Sequence, residues 1–447
     1  MPIVNAQQGE MSPSEALATL KKRILVDGFH MVMDLPNSQG AYMRDALTES
    51  DYLDFYSLFA SQPVRYNHPK LHEADFQERL LTAATTRVAN SDVYTQLYAE
   101  FVATLDRVAG LPGFEHFFFI DGGGLAVENA LKVAFDWKVR KNLAAGRGEI
   151  GTKVIHFREA FHGRTGYTMS LTNSDPWKTK YFPQFNWPRI ENPKINFSLP
   201  EPQRSEDVAA REAKAVTQIQ QAVAEHGHDI AAMILEPIQG EGGDNHFRPE
   251  FFKKLRELAD QHEFLLIFDE VQTGVGLTGK MWCCEHFNVY PDIICFGKKM
   301  QQCGIMANNR VDDVDNVFKV PSRINSTWGG NLTDMVRATH ILGIIDEENL
   351  VDHAAKAGAF LLDGLMRLQS QYKAVSNARG RGLMCAFDLS TPDLRKAVLK
   401  TCQEMQMIVL ACGTHSLRFR PVLDIDQADL ESGLEILGKA LEKVGAK

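Results

Sequence analysis

The chain has 447 residues, 44% hydrophobic and 23% charged, which are ordinary values for a globular protein with two or three domains. Its formal net charge of −9 argues against nucleic acid or an anionic membrane as a partner. No apolar run reaches transmembrane length, and the first residues lack the pattern of a secretion signal. Seven cysteines, mostly in or beside apolar runs, are typical of reduced thiols, so we expect a cytoplasmic location. The histidines show no metal-ligand spacing, and we expect no metal site.

The first part of the chain predicts a small N-terminal segment, residues 1–65. Residues 13–28 have the pattern of a helix, with Ser12 or Ser14 as its cap. Short alternating runs over 30–59 then predict a small β-meander. The domain that follows is expected over residues 66–335.

A run of glycines follows the first predicted strand of this domain. Residues 116–120 (HFFFI) are mostly apolar and predict a strand, three glycines stand at 122–124, and helical spacing begins at Leu125. Backbone N–H groups at a helix N-terminus bind anions, which favours a phosphate site. The alternative is a tight turn that needs glycine for its dihedral angles.

Repeated strand–helix units make up the rest of this domain. The pattern predicts further strands at 153–157, 231–235, 264–268 and 293–296, and helices at about 207–226 and 249–261. Such alternation predicts an α/β fold with a doubly wound parallel sheet, which binds its ligand beyond the carboxyl ends of the strands.

Charged residues end two of these strands. Asp269 and Glu270 follow one, and Lys298 and Lys299 follow the other. A carboxylate and a lysine at this edge suit pyridoxal phosphate, whose ring nitrogen needs an anionic partner and whose aldehyde needs an amine. A structural ion pair between an acid and a lysine remains the alternative.

The segment between these strands contains the GxGxxG spacing of dinucleotide sites, formed by Gly274, Gly276 and Gly279. In a dinucleotide site the first glycine follows the strand directly, and an acid ends the next strand. Here the strand stops at Asp269, and Asp292 precedes the next strand. We therefore do not expect an NAD site.

The last part of the chain predicts a compact C-terminal α+β domain, residues 336–447. A long helical pattern runs from 332 to about 372 and is broken near 347–349. After 379–382 the order is strand, helix, strand, strand, helix.

Taken together, these segments resemble the class III, fold-type I aminotransferases, which use pyridoxal 5′-phosphate. The motifs that carry the resemblance are HP at 68–69, AFHGRT at 160–165, EPIQGEGG at 236–243, DEVQTGVGLTG at 269–279, PDIICFGKK at 291–299, STWGGN at 326–331, RGRGLM at 379–384 and LRFRP at 417–421. The resemblance implies a large cofactor-binding domain and a smaller domain built from both ends of the chain.

The resemblance also assigns residues to the cofactor ring. Lys298 matches the Schiff-base lysine, which carries a proton during the reaction. Asp269 matches the acid that keeps the pyridine nitrogen protonated. Val271 and Phe161 match the two residues that sandwich the ring, and Gln272 matches the partner of the ring hydroxyl. Without the resemblance, Phe161 would be taken as a core residue.

The phosphate site departs from the usual family pattern. Gly123 and Gly124 stand where the family usually has Gly-Thr, so phosphate binding depends on backbone amides, the helix dipole and Thr327. Thr327 matches a threonine that reaches the phosphate of the neighbouring subunit, which implies a homodimer with shared active sites. Leu277 replaces a common arginine, and we have no functional account of this change.

Further segments resemble the branch of the family that transfers the ε-amino group of L-lysine to 2-oxoglutarate. They are GGGLAVENALK followed by FDWK, and EGGDNHFRPEFF downstream. By this resemblance Arg164 would hold the remote carboxylate of lysine, and Arg418 the carboxylate beside the reacting carbon of 2-oxoglutarate. Glu241 matches an acid that masks Arg418 while lysine is bound. Taken alone, Arg164 would be read as a surface residue.

Other amine donors and other reactions stay open at this stage. Ornithine, 4-aminobutyrate and diamine transaminases share the same cofactor chemistry. An aminomutase is disfavoured because it needs no second acceptor. A binding protein without activity is disfavoured because Lys298, Asp269 and Gln272 are all present.

Overall fold

The computed structural model describes residues 11–446, so the first ten residues of the expected N-terminal segment lie outside the described part. The helices are α1 Pro13–Lys21, α2 Ser57–Ala60, α3 Ala74–Ala84, α4 Gln96–Ala109, α5 Gly123–Ala144, α6 Thr168–Leu171, α7 Gln203–His226, α8 Pro249–Gln261, α9 Leu332–Glu347, α10 Leu350–Gln371, α11 Pro392–Glu404 and α12 Gln427–Lys443. The strands are β1 Tyr42–Asp45, β2 Ser50–Asp54, β3 His116–Phe119, β4 Lys153–Phe157, β5 Arg189–Ile190, β6 Ile230–Leu235, β7 Leu265–Asp269, β8 Ile293–Phe296, β9 Gly304–Ala307, β10 Val375–Arg381, β11 Met384–Leu389, β12 Met407–Ile408, β13 Leu410–Cys412 and β14 Ser416–Phe419. Within this part no helix combines the length and the apolar character needed to cross a membrane.

The central element is a seven-stranded sheet with the order β3-β9-β8-β7-β6-β4-β5. Neighbouring strands pair in parallel except at β9, which is antiparallel to both β3 and β8. All strands other than β9 therefore end at the same edge of the sheet, where polar loops meet. The predicted α/β fold with a mostly parallel sheet is confirmed.

Both faces of this sheet are covered. Alternate residues of each strand point to opposite sides, so each strand packs against elements on both faces. On β7, Leu266 and Phe268 belong to the same hydrophobic cluster as α8, whereas Leu265 and Ile267 belong to the cluster that includes α5. The strand is fully buried as a result. This double cover explains why the strand reads as a continuous apolar run in the sequence.

Two smaller sheets join the ends of the chain. One has the order β10-β11-β14-β13, and the other joins β1 and β2 to β12. The second sheet corrects the expected meander: residues 30–59 supply two strands, and the third comes from the C-terminal part, parallel to β2. Both ends of the chain thus contribute to the smaller unit, while the boundaries at 65/66 and 335/336 stay a prediction.

The sequence analysis did not predict α3, α4, α6 and β5, and three other elements differ from it for identifiable reasons. The first helix ends at Lys21 instead of residue 28, because beyond it Ile24 and Leu25 are exposed and find no packing surface. β10 was not predicted, since its sequence VSNARGR is mostly polar. β9, with the sequence GIMA, follows β8 too closely to be separated from it by pattern alone.

The turn α2 has an unusual backbone. Ser57, Leu58, Phe59 and Ala60 all have positive φ values between 40° and 64°, which gives one left-handed turn. Such a turn costs about 1–2 kcal/mol per residue for L-amino acids. It is held by the backbone N–H of Ser57, which donates to Asp54 Oδ1 at 2.8 Å, and by the Ser57 hydroxyl, which donates to the Arg420 carbonyl at 2.5 Å.

Candidate active site

The candidate site lies at the edge of the large sheet where the parallel strands end. Loops after β3, β4, β6, β7 and β8 meet there, as expected for an open α/β sheet. Asp269 is the last residue of β7, and Lys298 begins the turn after β8. These two residues, predicted from the sequence alone to share this edge, do so.

A buried pair stands at the floor of the site. His162, in the loop after β4, donates from Nδ1 to Asp269 Oδ2 at 2.8 Å, and the second carboxylate oxygen of Asp269 accepts the Val271 N–H at 3.1 Å. The His162 side chain is fully buried. This pair fixes the orientation of the Asp269 carboxylate and ties the loop that carries Phe161 to the loop that carries Val271.

A second buried acid, Glu236, supports the same loops. Its carboxylate accepts the N–H groups of Phe161 at 2.9 Å and Gly240 at 3.0 Å. Burial raises the pKa of Glu236 to about 7, opposed by His162 and reinforced by Asp269. The acid therefore fixes the backbone next to Phe161 instead of presenting a free carboxylate to a ligand.

Lys298 has both an unusual backbone and an altered amine. Its φ is +49°, a conformation that a residue with a side chain adopts at a cost of about 1–3 kcal/mol. Burial and the nearby Arg418 lower the pKa of Lys298, opposed by Asp269, Glu236 and Glu241. A larger share of its amine is therefore neutral, the form that attacks a carbonyl carbon.

The three glycines at the start of α5 expose backbone groups. Gly122 has φ +99° and contributes no side-chain cap to the helix. No hydrogen bond among the described residues uses the N–H groups of Gly123 and Gly124, which leaves them free for an anion. The site is closely packed, since a Cβ on Gly123 would lie 3.0 Å from Val271 Cγ1.

Gln272 is oriented by a buried ion pair. Arg420 donates from Nε and Nη2 to Gln272 Oε1 at 3.2 Å and also pairs with Asp244. The side chains of Arg420 and Asp244 are 1% and 0% exposed. With its oxygen engaged in this way, the Gln272 amide has its N–H₂ group left to donate to a ligand.

Glu241, in the loop after β6, lies between two cations. Its Oε2 is 3.5 Å from Arg418 Nη2, and its Oε1 accepts a hydrogen bond from Lys178 Nζ. Burial raises the pKa of Glu241, but Arg418, Lys178 and Lys298 together outweigh burial and hold it below its ordinary value. The acid is therefore charged and held from both sides.

Arg418 has a side-chain donor that is free to bind a second carboxylate. It lies on β14 with 4% of its side chain exposed, and its Nε is buried without an acceptor. The loop that carries Glu241 is joined to the turn before β14, because the Gly413 N–H donates to the Glu241 carbonyl at 2.9 Å. A carboxylate that entered beside Arg418 would find an unpaired N–H donor there.

Two of the predicted site residues stand apart from this group. Arg164 is exposed and lines a cavity of about 780 Å³ together with Lys132, Tyr167 and Phe182. Thr327 is exposed in the loop before α9, where its carbonyl accepts the Ser91 hydroxyl at 3.2 Å. No described contact joins either side chain to Lys298, so their roles stay predictions.

The GxGxxG segment does not form a dinucleotide site. Residues 271–280 form successive turns after β7, and no helix begins at its third glycine. Gly276 and Gly279 have φ values of +83° and +81°, and a Cβ on Gly279 would lie 2.8 Å from that of Ala355. These glycines serve turns and close packing.

The structure adds polar residues that the sequence analysis did not single out. His162 stands inside the AFHGRT motif next to Phe161, and Arg420 follows the end of β14, two residues beyond Arg418, so both could have been found beside residues already chosen. Asp244 stands inside the segment EGGDNHFRPEFF but was not chosen, and Lys178 gave no signal at all. Their importance comes from partners 176 and 63 residues away.

These features fit the pyridoxal phosphate that the sequence resemblance implies. Unpaired N–H groups at the start of α5 suit its phosphate, the fixed carboxylate of Asp269 suits a protonated ring nitrogen, and Gln272 offers a donor for the ring hydroxyl. Lys298 supplies an amine with a lowered pKa.

Comparisons with known proteins agree with this site. Residues 26–441 match the family described as Aminotransferase class-III. An L-lysine-epsilon aminotransferase of Mycobacterium tuberculosis is 49% identical and covers 97% of this chain and 96% of its own. One from Amycolatopsis lactamdurans is 46% identical and covers 95% of each chain. A solved structure, a lysine aminotransferase from M. tuberculosis in the internal aldimine form, has a TM-score of 0.95 and 49% identity, and covers 97% of this chain and 100% of its own.

Proposed function

Since the chain belongs to the class III aminotransferases and uses pyridoxal phosphate, we propose that it transfers the ε-amino group of L-lysine to 2-oxoglutarate. The products are glutamate and 2-aminoadipate 6-semialdehyde, which cyclises to piperideine-6-carboxylate. The observation that carries the proposal is the contact between Glu241 and Arg418, the latter a neighbouring charge of Lys298. The relatives named for lysine ε-amino transfer support it.

The cofactor is held by residues of this chain and of its partner. When bound, pyridoxal phosphate accepts the amino group and serves as the electron sink for the proton shift. The N–H groups of Gly123 and Gly124 bind its phosphate, together with Thr327 of the neighbouring subunit. Phe161 and Val271 flank its ring. We propose a homodimer on this basis, and a cytoplasmic location on the basis of the seven free cysteines.

Three polar residues govern the chemistry at the ring. Asp269, oriented by His162, stabilises the protonated ring nitrogen. Gln272 donates to the ring hydroxyl. Lys298 holds the cofactor and then moves a proton from the substrate carbon, a task that suits an amine whose pKa is lowered.

The two substrates make opposite demands on the pocket near Lys298. The ε-carbon of lysine carries no carboxylate, and the remote carboxylate binds Arg164. In 2-oxoglutarate a carboxylate adjoins the reacting carbon and needs a cation there. Glu241 pairs with Arg418 while lysine is bound. When 2-oxoglutarate binds, its carboxylate replaces Glu241 as the partner of Arg418, so that one pocket accepts both substrates.

The test is a panel of amine donors with 2-oxoglutarate as acceptor and identification of the products by mass spectrometry. L-lysine should have the highest kcat/KM, above ornithine, 4-aminobutyrate and a simple diamine, and should give the six-membered cyclic product. A higher kcat/KM for ornithine or 4-aminobutyrate would replace the proposal with another ω-aminotransferase.

A matched variant tests the mask itself. In Glu241→Ala, Arg418 is exposed to every substrate, so glutamate should improve as an amine donor while lysine weakens. If Glu241 and Arg418 formed only a structural pair, the variant would lose stability and the preference between lysine and glutamate would not change.

A further inference from the structure

A second cation contacts the masking acid from the side opposite Arg418. Lys178 ends the short 3₁₀ turn Pro176–Lys178, which begins at Asp175, where the carboxylate accepts the Trp177 N–H at 2.9 Å. From this turn Lys178 Nζ donates directly to Glu241 Oε1, whereas Arg418 Nη2 lies 3.5 Å from Oε2. Each oxygen of the carboxylate thus faces a different cation, and the contact with Lys178 is the closer one.

The position of Lys178 places it beside the site but not within the group around Lys298. Its Nζ lies 5.4 Å from the centroid of the Phe161 ring. The Lys178 side chain is 31% exposed, against 4% for Arg418. The described ion pair of Lys178 is with Glu241, and no described hydrogen bond joins it to Lys298. It therefore acts on the reaction through Glu241.

We propose that Lys178 is a positioning residue that holds Glu241 when an α-carboxylate takes Arg418, a role that rests on the proposed function. The Glu241 side chain is 26% exposed, so its carboxylate is only partly solvated and is destabilised when it loses its last cation. With Lys178 in place, Glu241 keeps one cation as a partner when the substrate carboxylate takes Arg418. The Nε of Arg418 is buried without an acceptor, so Arg418 can receive a second carboxylate while Glu241 keeps its hydrogen bond to Lys178.

The proposal predicts a selective effect of Lys178→Met, which keeps most of the side-chain volume and removes the charge. Glu241 would then have Arg418 as its near partner, and 2-oxoglutarate would compete against a tighter pair. We expect kcat/KM of the 2-oxoglutarate half-reaction to fall about tenfold, mainly through KM, as for loss of one charged hydrogen bond. The lysine half-reaction needs no release of Arg418 and should stay within about twofold.

The experiment follows each half-reaction separately on the holoenzyme by single-turnover absorbance. Lys178→Arg keeps a cation and should restore most of the 2-oxoglutarate rate. Lys180→Met is the matched control, because Lys180 lies over the rings of Trp177 and Tyr181 and should leave both half-reactions unchanged. In a Glu241→Gln background, Lys178→Met should have no further effect, since the charge that it positions is gone.

The outcomes separate this proposal from the proposed function. An equal fall of both half-reactions, no fall at all, or the same fall in the Glu241→Gln background would each overturn the role of Lys178. A wild-type enzyme that exchanges amino groups with neither lysine nor 2-oxoglutarate would refute the proposed function and the role of Lys178 with it. A wild-type enzyme active with both, beside an unaffected Lys178→Met, refutes the role of Lys178 alone.

Discussion

The buried pair of Arg420 and Asp244 offers a test of the site that does not depend on the substrate. Both side chains are almost completely buried, and one Asp244 oxygen has no hydrogen-bond partner. Arg420→Met removes the cation and leaves a buried carboxylate whose remaining described side-chain contact is the weak one from Cys412 Sγ at 3.9 Å. The free energy of unfolding should fall accordingly.

The size of the loss follows from the burial of both partners. Removing one partner of a buried ion pair costs about 3–5 kcal/mol, because the other charge stays behind without compensation. Replacing both partners by uncharged groups costs much less. The double variant Arg420→Met/Asp244→Asn should therefore recover a large part of the stability that the single variant loses, which gives a coupling of about 2 kcal/mol or more in the cycle.

Urea unfolding followed by tryptophan fluorescence measures this cycle. The wild type, Arg420→Met, Asp244→Asn and the double variant are compared at the same pH. Arg381→Met is the matched control, since this arginine lies on β10 over the Phe287 ring and has no described ion pair. It should cost about 1 kcal/mol or less.

Two results would refute this reasoning. A loss below about 1 kcal/mol in Arg420→Met would mean that water reaches Asp244 and that the pair is not buried in solution. Additive losses in the double variant would mean that the two residues stabilise the fold independently. In either case the orientation of Gln272 could not be attributed to this pair.

The other predictions concern the reaction. Lys298→Ala should lose the borohydride-reducible cofactor linkage and nearly all turnover, whereas Lys299→Ala should keep the linkage; the reverse result would exchange their roles. Asp269→Asn should retain the cofactor, measured by absorbance, but lose transamination by about 10³-fold or more, because an uncharged ring nitrogen is a poor electron sink. Arg164→Ala should cost about 1.5–3 kcal/mol in kcat/KM for lysine, as for loss of a charged hydrogen bond, and much less for a diamine without a carboxylate; equal losses would place the carboxylate elsewhere. Arg418→Ala should cripple the 2-oxoglutarate half-reaction and spare the lysine one, which single-turnover absorbance separates.

Much of the fold could be predicted from the sequence, because the large sheet is buried on both faces. β6, β7 and β8 are continuous apolar runs of strand length, and each is followed by charged or glycine-rich loops. The same feature predicted where Asp269 and Lys298 would meet. Local sequence patterns are sufficient to predict a strand wherever the strand is buried on both faces.

The remaining elements depend on partners far away in the chain. β12 is two residues long and becomes a strand by pairing with β2. β10 is polar because several of its side chains, such as Arg379, serve hydrogen bonds instead of a core. The contact of Lys178 with Glu241 likewise joins two loops that no local pattern relates.

The left-handed turn at 57–60 has a consequence for the lysine that is predicted to hold the cofactor. The residues just after this turn accept hydrogen bonds from the segment that carries that lysine: Lys299 Nζ donates to the Gln62 carbonyl at 2.7 Å, and Gln301 Nε2 donates to the Ser61 carbonyl at 2.8 Å. Lys298 and Gln301 themselves have positive φ values of 49° and 65°. These two hydrogen bonds thus join two segments whose backbone conformations are unfavourable in isolation. The N-terminal segment thereby supports the loop that carries Lys298. A proteolytic cut or a deletion before residue 62 would remove this support, although none of the predicted site residues lies in that segment.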